Sequence, residues 1–281
     1  MSTVDSPVIV DPRGERLPVA LVIVLVFVIS WLSTIPQIWA SWDGAAAVPG
    51  WAKALQVFLV APGLIALVAA AINGGRAAFF DLLKRLFRWR APLWLYAAVL
   101  LGPPLLIVAA IVLSNALGGT AIALPSASNA FAAFVPTFIV YLVLNTEELI
   151  WRGYVLPRFQ WRWSPLRASL VLGVIWTLFH APYFLMKGGH PGGLTPTIFV
   201  VMLMAMTVLQ TRFFNAGLGS VLLPHLFHQS VNAWAEALPE LPRFVHSTTP
   251  ALVFAILLAV AAVVAIDVPP RMTRHRAAAP R

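Results

Sequence analysis

Long apolar runs separated by short polar stretches fill most of the chain between residues 17 and 266. A helix needs about 20 mostly apolar residues to cross the hydrocarbon core of a bilayer. The pattern predicts eight such segments, at residues 17–40, 51–72, 92–117, 131–158, 166–186, 196–212, 218–238 and 249–266. The alternating ten-residue segments that are typical of a transmembrane β-barrel do not occur. The predicted fold class is therefore all-α, a polytopic membrane protein with about eight transmembrane helices.

The stretch 76–90 has a different pattern, because charged residues recur along it at helical spacing. One face carries Asp81, Lys84, Arg85 and Arg88. The opposite face carries Phe79, Phe80, Leu83, Leu86 and Phe87. This pattern predicts a basic amphipathic helix that lies on the membrane surface and contacts anionic lipids.

Composition and charge agree with a membrane protein. The 281 residues are 60% hydrophobic and 10% charged, whereas a soluble domain carries about 25% charged residues. With the N-terminus inside, all of the 19 Lys and Arg residues except Lys53, Lys187 and Arg243 fall on the cytoplasmic side. The positive-inside rule then places both termini in the cytoplasm. We expect the protein to lie in the plasma membrane of a prokaryote. This distribution of the +9 net charge does not indicate a nucleic-acid partner.

Two adjacent carboxylates are the most unusual feature of the sequence. The chain has ten Asp and Glu residues, and all except Glu147 and Glu148 lie in predicted tails, loops or segment ends. An acidic side chain at the centre of a transmembrane helix costs about 2.5–3.5 kcal/mol on insertion scales. Glu147 and Glu148 are therefore candidate functional residues that need polar partners. The chain has no cysteine, which excludes a cysteine nucleophile.

Three histidines also lie inside apolar segments. His180 lies in segment 166–186, while His225 and His228 share segment 218–238 with Asn232. His228 and Asn232 are four residues apart and share a helix face. At 1.5 Å per residue, Glu147, His180 and His228 each lie roughly 16–20 Å from the cytoplasmic end of their helix. We expect these groups to meet in one interior pocket.

The spacing also assigns different roles to the two carboxylates. Glu148 and Arg152 are spaced for an intrahelical ion pair, whereas Glu147 is rotated from Glu148 by about 100°. We therefore expect Glu147 to face the histidines as the acid/base and Glu148 to be its structural neighbour. A purely structural ion pair, a hydrogen-bonding role for His225, a helix-packing role for Asn232 and a packing role for Trp151 are the alternatives.

Taken together, these residues resemble the motifs of the CPBP intramembrane proteases, also called the Abi family, which include relatives of the type II CAAX prenyl endopeptidases. The first motif corresponds to Glu147-Glu148-x-x-x-Arg152, extended by Gly153-Tyr154. The second, usually Phe-x-x-x-His, corresponds to Trp176 and His180, with tryptophan in place of phenylalanine. The third corresponds to His228-x-x-x-Asn232. The resemblance covers about residues 76–236.

The resemblance implies a protease whose Glu147 and His180 activate the attacking water, while His228 and Asn232 donate hydrogen bonds to the oxyanion. A carboxylate in a poorly solvated site and fixed hydrogen-bond donors suit peptide hydrolysis. One Glu and two His residues also resemble a three-ligand zinc site, although the chain lacks an H-E-x-x-H helix. Metal-free, glutamate-activated water is the favoured interpretation, with a divalent metal such as zinc as the alternative.

The implied partners are a peptide or membrane-protein substrate and the lipid bilayer. The implied organisation is a cytoplasmic tail (1–16), two transmembrane helices (17–75), the surface helix (76–90), a CPBP-like catalytic core (91–238) and a last helix with a basic tail (239–281). Two other functions use the same residues. One is a transporter or proton-relay protein, in which buried acids and histidines mark the pathway. The other is a non-catalytic bacteriocin-immunity protein of the same fold.

Overall fold

The computed structural model describes residues 9–42, 60–118, 122–187, 194–238 and 248–266. Within these ranges the regular secondary structure is helical, which confirms the predicted all-α class. The α-helices are α1 (Val19–Trp42), α2 (Ala61–Leu86), α3 (Leu93–Ala116), α4 (Ala127–Leu144), α5 (Leu156–Arg162), α6 (Pro165–Phe179), α7 (Ala181–Leu185), α8 (Pro196–Ala216), α9 (Leu222–Ala237) and α10 (Thr249–Ile266). A π-helix, Leu149–Val155, lies directly before α5.

Seven helical stretches of the described chain are long and apolar enough to cross a membrane. They are α1, α2, α3, α4, the combined stretch α6–α7, α8 and α10. The chain is therefore a polytopic integral membrane protein, as predicted, and seven of its predicted spans meet these criteria within the described residues. The predicted segment 218–238 forms α9, which has 16 residues. At about 24 Å, α9 is shorter than the roughly 30 Å hydrocarbon core.

Helix α9 lies inside the bundle, where it contacts α3, α4 and α8. Its buried side chains include four polar residues, His225, His228, Gln229 and Ser230. Polar groups at membrane depth are tolerated where they face the interior of a helix bundle. Because α3, α4 and α8 surround it, α9 can carry several polar groups of the site away from the lipid.

Helix α2 joins the second predicted span to the predicted surface helix 76–90 without a loop. The two parts meet at a backbone break, where Gly75 has φ +64° and ψ −162°, a conformation available essentially to glycine. Arg85, predicted on the exposed charged face, is instead buried, and its guanidinium donates to the Gly153 carbonyl oxygen at 3.5 Å. The predicted lipid-facing surface therefore has fewer basic groups than the spacing indicated.

Residues 10–16, which belong to the predicted polar tail (1–16), contact α5, and the Val10 N–H donates to the Pro157 carbonyl at 3.3 Å. Arg158 forms an ion pair with Glu15 at 2.6 Å, and both side chains are more than nine-tenths buried. The guanidinium of Arg158 also lies over the ring of Tyr154, 3.5 Å from its centroid. Asn73 of α2 donates to the Tyr154 hydroxyl at 2.8 Å. These contacts fix the end of the segment that carries the paired carboxylates.

Candidate active site

The two carboxylates follow a break in the chain, where the sequence predicted one continuous helix over 131–158. Helix α4 ends at Leu144, and Asn145 is extended, with φ −81° and ψ 101°. The Asn145 side-chain oxygen accepts a hydrogen bond from the Glu147 N–H at 3.1 Å, as an N-cap residue does. The prediction of a continuous helix was wrong because the apolar pattern does not reveal that a side chain replaces the backbone hydrogen bond here.

Thr146 connects this break to the start of α2 through two hydrogen bonds. Its hydroxyl donates to the Val60 carbonyl at 2.9 Å and accepts a hydrogen bond from the Gly63 N–H at 3.0 Å. A Cβ atom on Gly63 would lie 2.4 Å from the Thr146 Cβ, so the approach requires glycine. The position of the carboxylates is thus set by α2 as well as by their own helix.

The π-helix begins immediately after Glu148. Short π-helical segments occur often at functional sites, and this one is buried along its whole length. Glu147 and Glu148 are 1% and 0% exposed. Their side chains leave the backbone in different directions, so each carboxylate has its own set of partners.

Glu148 lies at the centre of a buried polar network. Its Oε1 accepts hydrogen bonds from Arg152 Nη1 at 3.0 Å and from Gln210 Nε2 at 2.9 Å. Arg152 also donates to the side-chain oxygens of Gln210 and Thr207. The structure therefore contains the predicted Glu148–Arg152 ion pair, and α8 supplies further partners for both members. An ionised pair at this depth needs such additional hydrogen bonds.

Glu147 has a different environment, formed by two tryptophans and a histidine. Trp176 Nε1 donates to Glu147 Oε2 at 2.6 Å, and Trp151 Nε1 donates to the same oxygen at 3.2 Å. The nearest imidazole is that of His180, with Nε2 at 3.9 Å from Oε2. This separation is too long for a direct hydrogen bond, but one water molecule can bridge the two atoms.

His180 lies at a second helix break, where the sequence predicted one segment over 166–186. Helix α6 ends at Phe179, and Pro182 in the first turn of α7 has no N–H with which to continue it. The His180 Nδ1 atom is 2.8 Å from the Trp176 carbonyl oxygen. A carbonyl oxygen only accepts, so Nδ1 carries the proton. In the neutral ring, the lone pair on Nε2 is therefore directed toward the Glu147 side.

His228 reaches Glu148 instead of Glu147. Its Nδ1 lies 2.9 Å from Glu148 Oε1, and its ring meets the Trp176 ring edge to face at 5.1 Å. The expectation that Glu147 faces the histidines therefore holds for His180, while His228 bonds to the neighbouring carboxylate. With a protonated His228 ring and two ionised carboxylates, the charge of Arg152 would make the cluster neutral.

His225 and Asn232 occupy the outer parts of this cluster. His225 Nε2 donates to the Leu142 carbonyl at 2.9 Å, and Gln229 donates to His225 Nδ1 at 3.3 Å. His225 therefore joins α9 to the end of α4, which is the hydrogen-bonding alternative considered above. Asn232 is half-buried one turn beyond His228, and its amide donates to the Gln229 side-chain oxygen at 3.3 Å.

Several residues of the site were not identified from the sequence. Trp151, expected to be a packing residue, donates to Glu147. The sequence pattern did not predict a function for Thr207 or Gln210, although both are fully buried beside Arg152. A signal for them exists, because Thr207, Gln210 and Thr211 recur at helical spacing inside an apolar span. A polar stripe of this kind faces the interior of a bundle.

The arrangement of the donors also bears on the zinc alternative. The described ranges contain no group of three His, Asp or Glu side chains that could hold a metal ion. A three-ligand site would need Glu147, His180 and His228 around one ion. The described structure does not bring these three side chains together as a group that could hold an ion. In this arrangement they do not form a three-ligand zinc site.

Comparisons with known proteins concern this part of the chain. A family model described as Type II CAAX prenyl endopeptidase Rce1-like matches residues 126–234. A protein of Methanococcus maripaludis named CAAX prenyl protease 2 is 29% identical over 194 residues, which cover 64% of this chain and 70% of the relative. The residues matched by the family model include both carboxylates, all three histidines of the cluster and Asn232.

Proposed function

Because the chain belongs to the CPBP and Rce1-like family and is a peptidase of the CAAX protease type, we propose that it is an intramembrane endopeptidase in which Glu147 and His180 activate water. The observation that carries this proposal is the convergence of Glu147, Glu148, His180 and His228, from three separated parts of the chain, in one buried cluster. Membership in a peptidase family removes the reason for the transporter alternative. The immunity-protein alternative predicts no turnover in the assay described below.

The first step is the attack of water on the peptide carbonyl. A water molecule between His180 Nε2 and Glu147 Oε2, which are 3.9 Å apart, can donate a hydrogen bond to both groups. As the water oxygen bonds to the carbonyl carbon, Glu147 takes the proton as general base. The protonated Glu147 then donates this proton to the leaving amine, and the C–N bond breaks.

The second requirement is stabilisation of the negative charge that develops on the carbonyl oxygen. A His228 ring that donates from Nδ1 to Glu148 has Nε2 available for an oxyanion when both nitrogens are protonated. Glu148 stabilises that cation through the 2.9 Å hydrogen bond. Asn232, one turn further along α9, supplies a second donor. Fixed donors of this kind typically contribute about 10²–10³ to turnover.

For the substrate, we propose the C-terminal segment of a membrane-attached protein. The relative from M. maripaludis is named a CAAX prenyl protease, so a Cys-a-a-X peptide with an isoprenyl group on the cysteine is the first substrate to test. The isoprenyl group would partition into the bilayer and bring the peptide to the depth of the cluster.

The test uses the purified protein in nanodiscs with a fluorescence-quenched, prenylated Cys-a-a-X peptide. We expect the wild-type protein to release the C-terminal tripeptide. Glu147→Gln, His180→Asn and His228→Asn should each reduce kcat by about 10²–10⁴, the range for loss of a general base or an oxyanion donor. Glu236→Gln is the matched control, since this carboxylate is exposed on α9.

Full turnover in Glu147→Gln and His228→Asn would end the proposal, whatever the control shows. Loss of turnover to the same extent in Glu236→Gln would also contradict it, because an exposed carboxylate outside the buried cluster should not contribute. An unprenylated peptide cleaved as fast as the prenylated one would refute the proposed substrate while leaving the proposed catalytic groups supported.

A further inference from the structure

Trp176 does more than fill space in the core, because it contacts several members of the cluster directly. Its indole N–H donates to Glu147 Oε2 at 2.6 Å, the shorter of the two indole hydrogen bonds to that oxygen. The side chain is 1% exposed, so no bulk solvent competes for this bond. The hydrogen bond therefore joins α6 directly to the proposed general base.

The same side chain also touches the cationic part of the cluster. The guanidinium carbon of Arg152 lies 4.3 Å from the centre of the Trp176 ring, within the range of a cation–π interaction. The His228 ring contacts the indole edge to face at 5.1 Å. Trp176 thus lies between the Glu147 environment and the Glu148–Arg152 network, with its N–H directed at one and its ring face at the other.

These two contacts have separable consequences. The ring face supports the position of Arg152, and any aromatic ring of similar placement can provide it. The hydrogen bond from the N–H is specific to indole. Without it, Glu147 would lose a donor that orients its carboxylate.

We propose that Trp176 is a positioning residue whose indole N–H holds the Glu147 carboxylate in the orientation in which it acts on the attacking water. This inference rests on the proposed function. The other titratable or charged groups around Glu147 are Glu148 and Arg152 on its own helix, His180 at the end of α6, Tyr183 on α7 and His228 on α9. We expect all of them to stay in place when only the indole N–H is removed.

The experiment compares two replacements of Trp176. In Trp176→Phe the aromatic face for Arg152 remains but the N–H is lost. In the second variant, position 176 carries 3-benzothienylalanine, in which sulfur replaces the N–H in a side chain of nearly the same shape. Trp94→Phe is the matched control, because Trp94 is 58% exposed on α3 and lies outside the cluster.

We expect kcat to fall by about tenfold or more in both Trp176 variants, as the loss of a hydrogen bond to a charged group implies, while KM stays within about twofold. Trp94→Phe should reproduce the wild-type kcat and KM. An unchanged kcat in the benzothienyl variant would overturn the proposal, even if Trp176→Phe loses activity through altered packing.

A second readout does not depend on turnover. Infrared difference spectra against Glu147→Gln isolate the carboxylate stretching band of Glu147. We expect this band to shift in the benzothienyl variant, because the carboxylate loses a hydrogen bond, and an unshifted band would overturn the inference. A shifted band in this variant, together with a wild-type protein that cleaves no peptide, would refute the proposed function and leave the role of Trp176 supported.

Discussion

Two neighbouring residues with the same side chain have different environments in this protein. Glu148 accepts hydrogen bonds from a guanidinium, an amide and an imidazole, so its charge is compensated within the fold. Glu147 accepts from two neutral indoles and lies near His180. A rotation of about 100° between consecutive helical residues separates the two sets of partners. Structural and proposed chemical roles can therefore occupy adjacent positions.

Gln210 is the residue through which α8 supports this arrangement. Its amide nitrogen donates to Glu148 Oε1 and lies within 3.3 Å of the Pro224 carbonyl, while its oxygen accepts from Arg152. We expect Gln210→Leu to lower the free energy of unfolding by about 1–3 kcal/mol, because buried charged groups lose their partner. Turnover should fall by about tenfold or more, which corresponds to an increase of roughly 1.4 kcal/mol in the activation free energy.

Thermal unfolding in detergent and peptide cleavage measure these two effects. Thr211→Val is the matched control on the same helix, because the Thr211 hydroxyl donates to the Thr207 carbonyl one turn back and does not contact the carboxylates. Equal stability and equal turnover in the two variants would contradict a supporting role for Gln210.

At the level of elements, the site depends on interruptions of helices. Both His180 and the Glu147–Glu148 pair lie at or just after a break, at residues 180 and 145–146. A break frees backbone groups, which buried side chains must then satisfy. At one break Asn145 does so by accepting from the Glu147 N–H, and Thr146 joins this break to α2. The chain can therefore present its acidic pair at an angle that a straight helix would not give.

A substitution of Gly63 tests whether the close contact between α2 and the break at Thr146 is required. We expect Gly63→Ala to destabilise the protein by roughly 1–3 kcal/mol, because the added methyl group would overlap Thr146. The displacement of Thr146 should also reduce peptide cleavage. The melting temperature and kcat of the purified variant are the measurements.

Gly102→Ala is the control, because a Cβ atom at this position of α3 would meet nothing within 4 Å. Alanine is favoured over glycine in a helix by up to about 1 kcal/mol, so this variant should be as stable as the wild type or more so. A Gly63→Ala protein that unfolds and cleaves like Gly102→Ala would show that close contact at Thr146 is not needed.

At the level of the whole molecule, charge and hydrophobicity are segregated. Apolar helices α1, α3, α4 and α10 expose large side chains, as expected for surfaces that face lipid. The shorter and more polar α9 lies among α3, α4 and α8. This arrangement places the candidate catalytic groups away from acyl chains and in a medium where hydrogen bonds and ion pairs are stronger than in water.

The orientation of the molecule in the membrane remains a prediction of the positive-inside rule. The chain has no cysteine, so a single introduced cysteine reports one position without background. We expect Lys187→Cys to react with a membrane-impermeant maleimide on intact cells, and Arg90→Cys to react after permeabilisation. Both positions are exposed. Labelling of Arg90→Cys on intact cells, with Lys187→Cys protected, would contradict the predicted topology and indicate the opposite orientation.

The sequence by itself determined the all-helical membrane class and the short set of polar residues that make up most of the cluster. Both follow from local properties, since apolar runs of spanning length and costly buried charges can be recognised without knowing the neighbours. It also correctly indicated the Glu148–Arg152 pair, because an (i, i+4) spacing is itself a spatial relation in a helix.

Only the tertiary structure decided how these residues are paired. The bond from His228 to Glu148 joins residues 80 positions apart, and that from Gln210 to Glu148 joins residues 62 positions apart. Helix spacing carries no information on contacts between separate helices. The two breaks also involve contacts between separate helices, because Thr146 bonds to Val60 of the chain before α2 and Trp31 of α1 donates to the Phe179 carbonyl. The inward position of α9 likewise depends on its neighbours α3, α4 and α8.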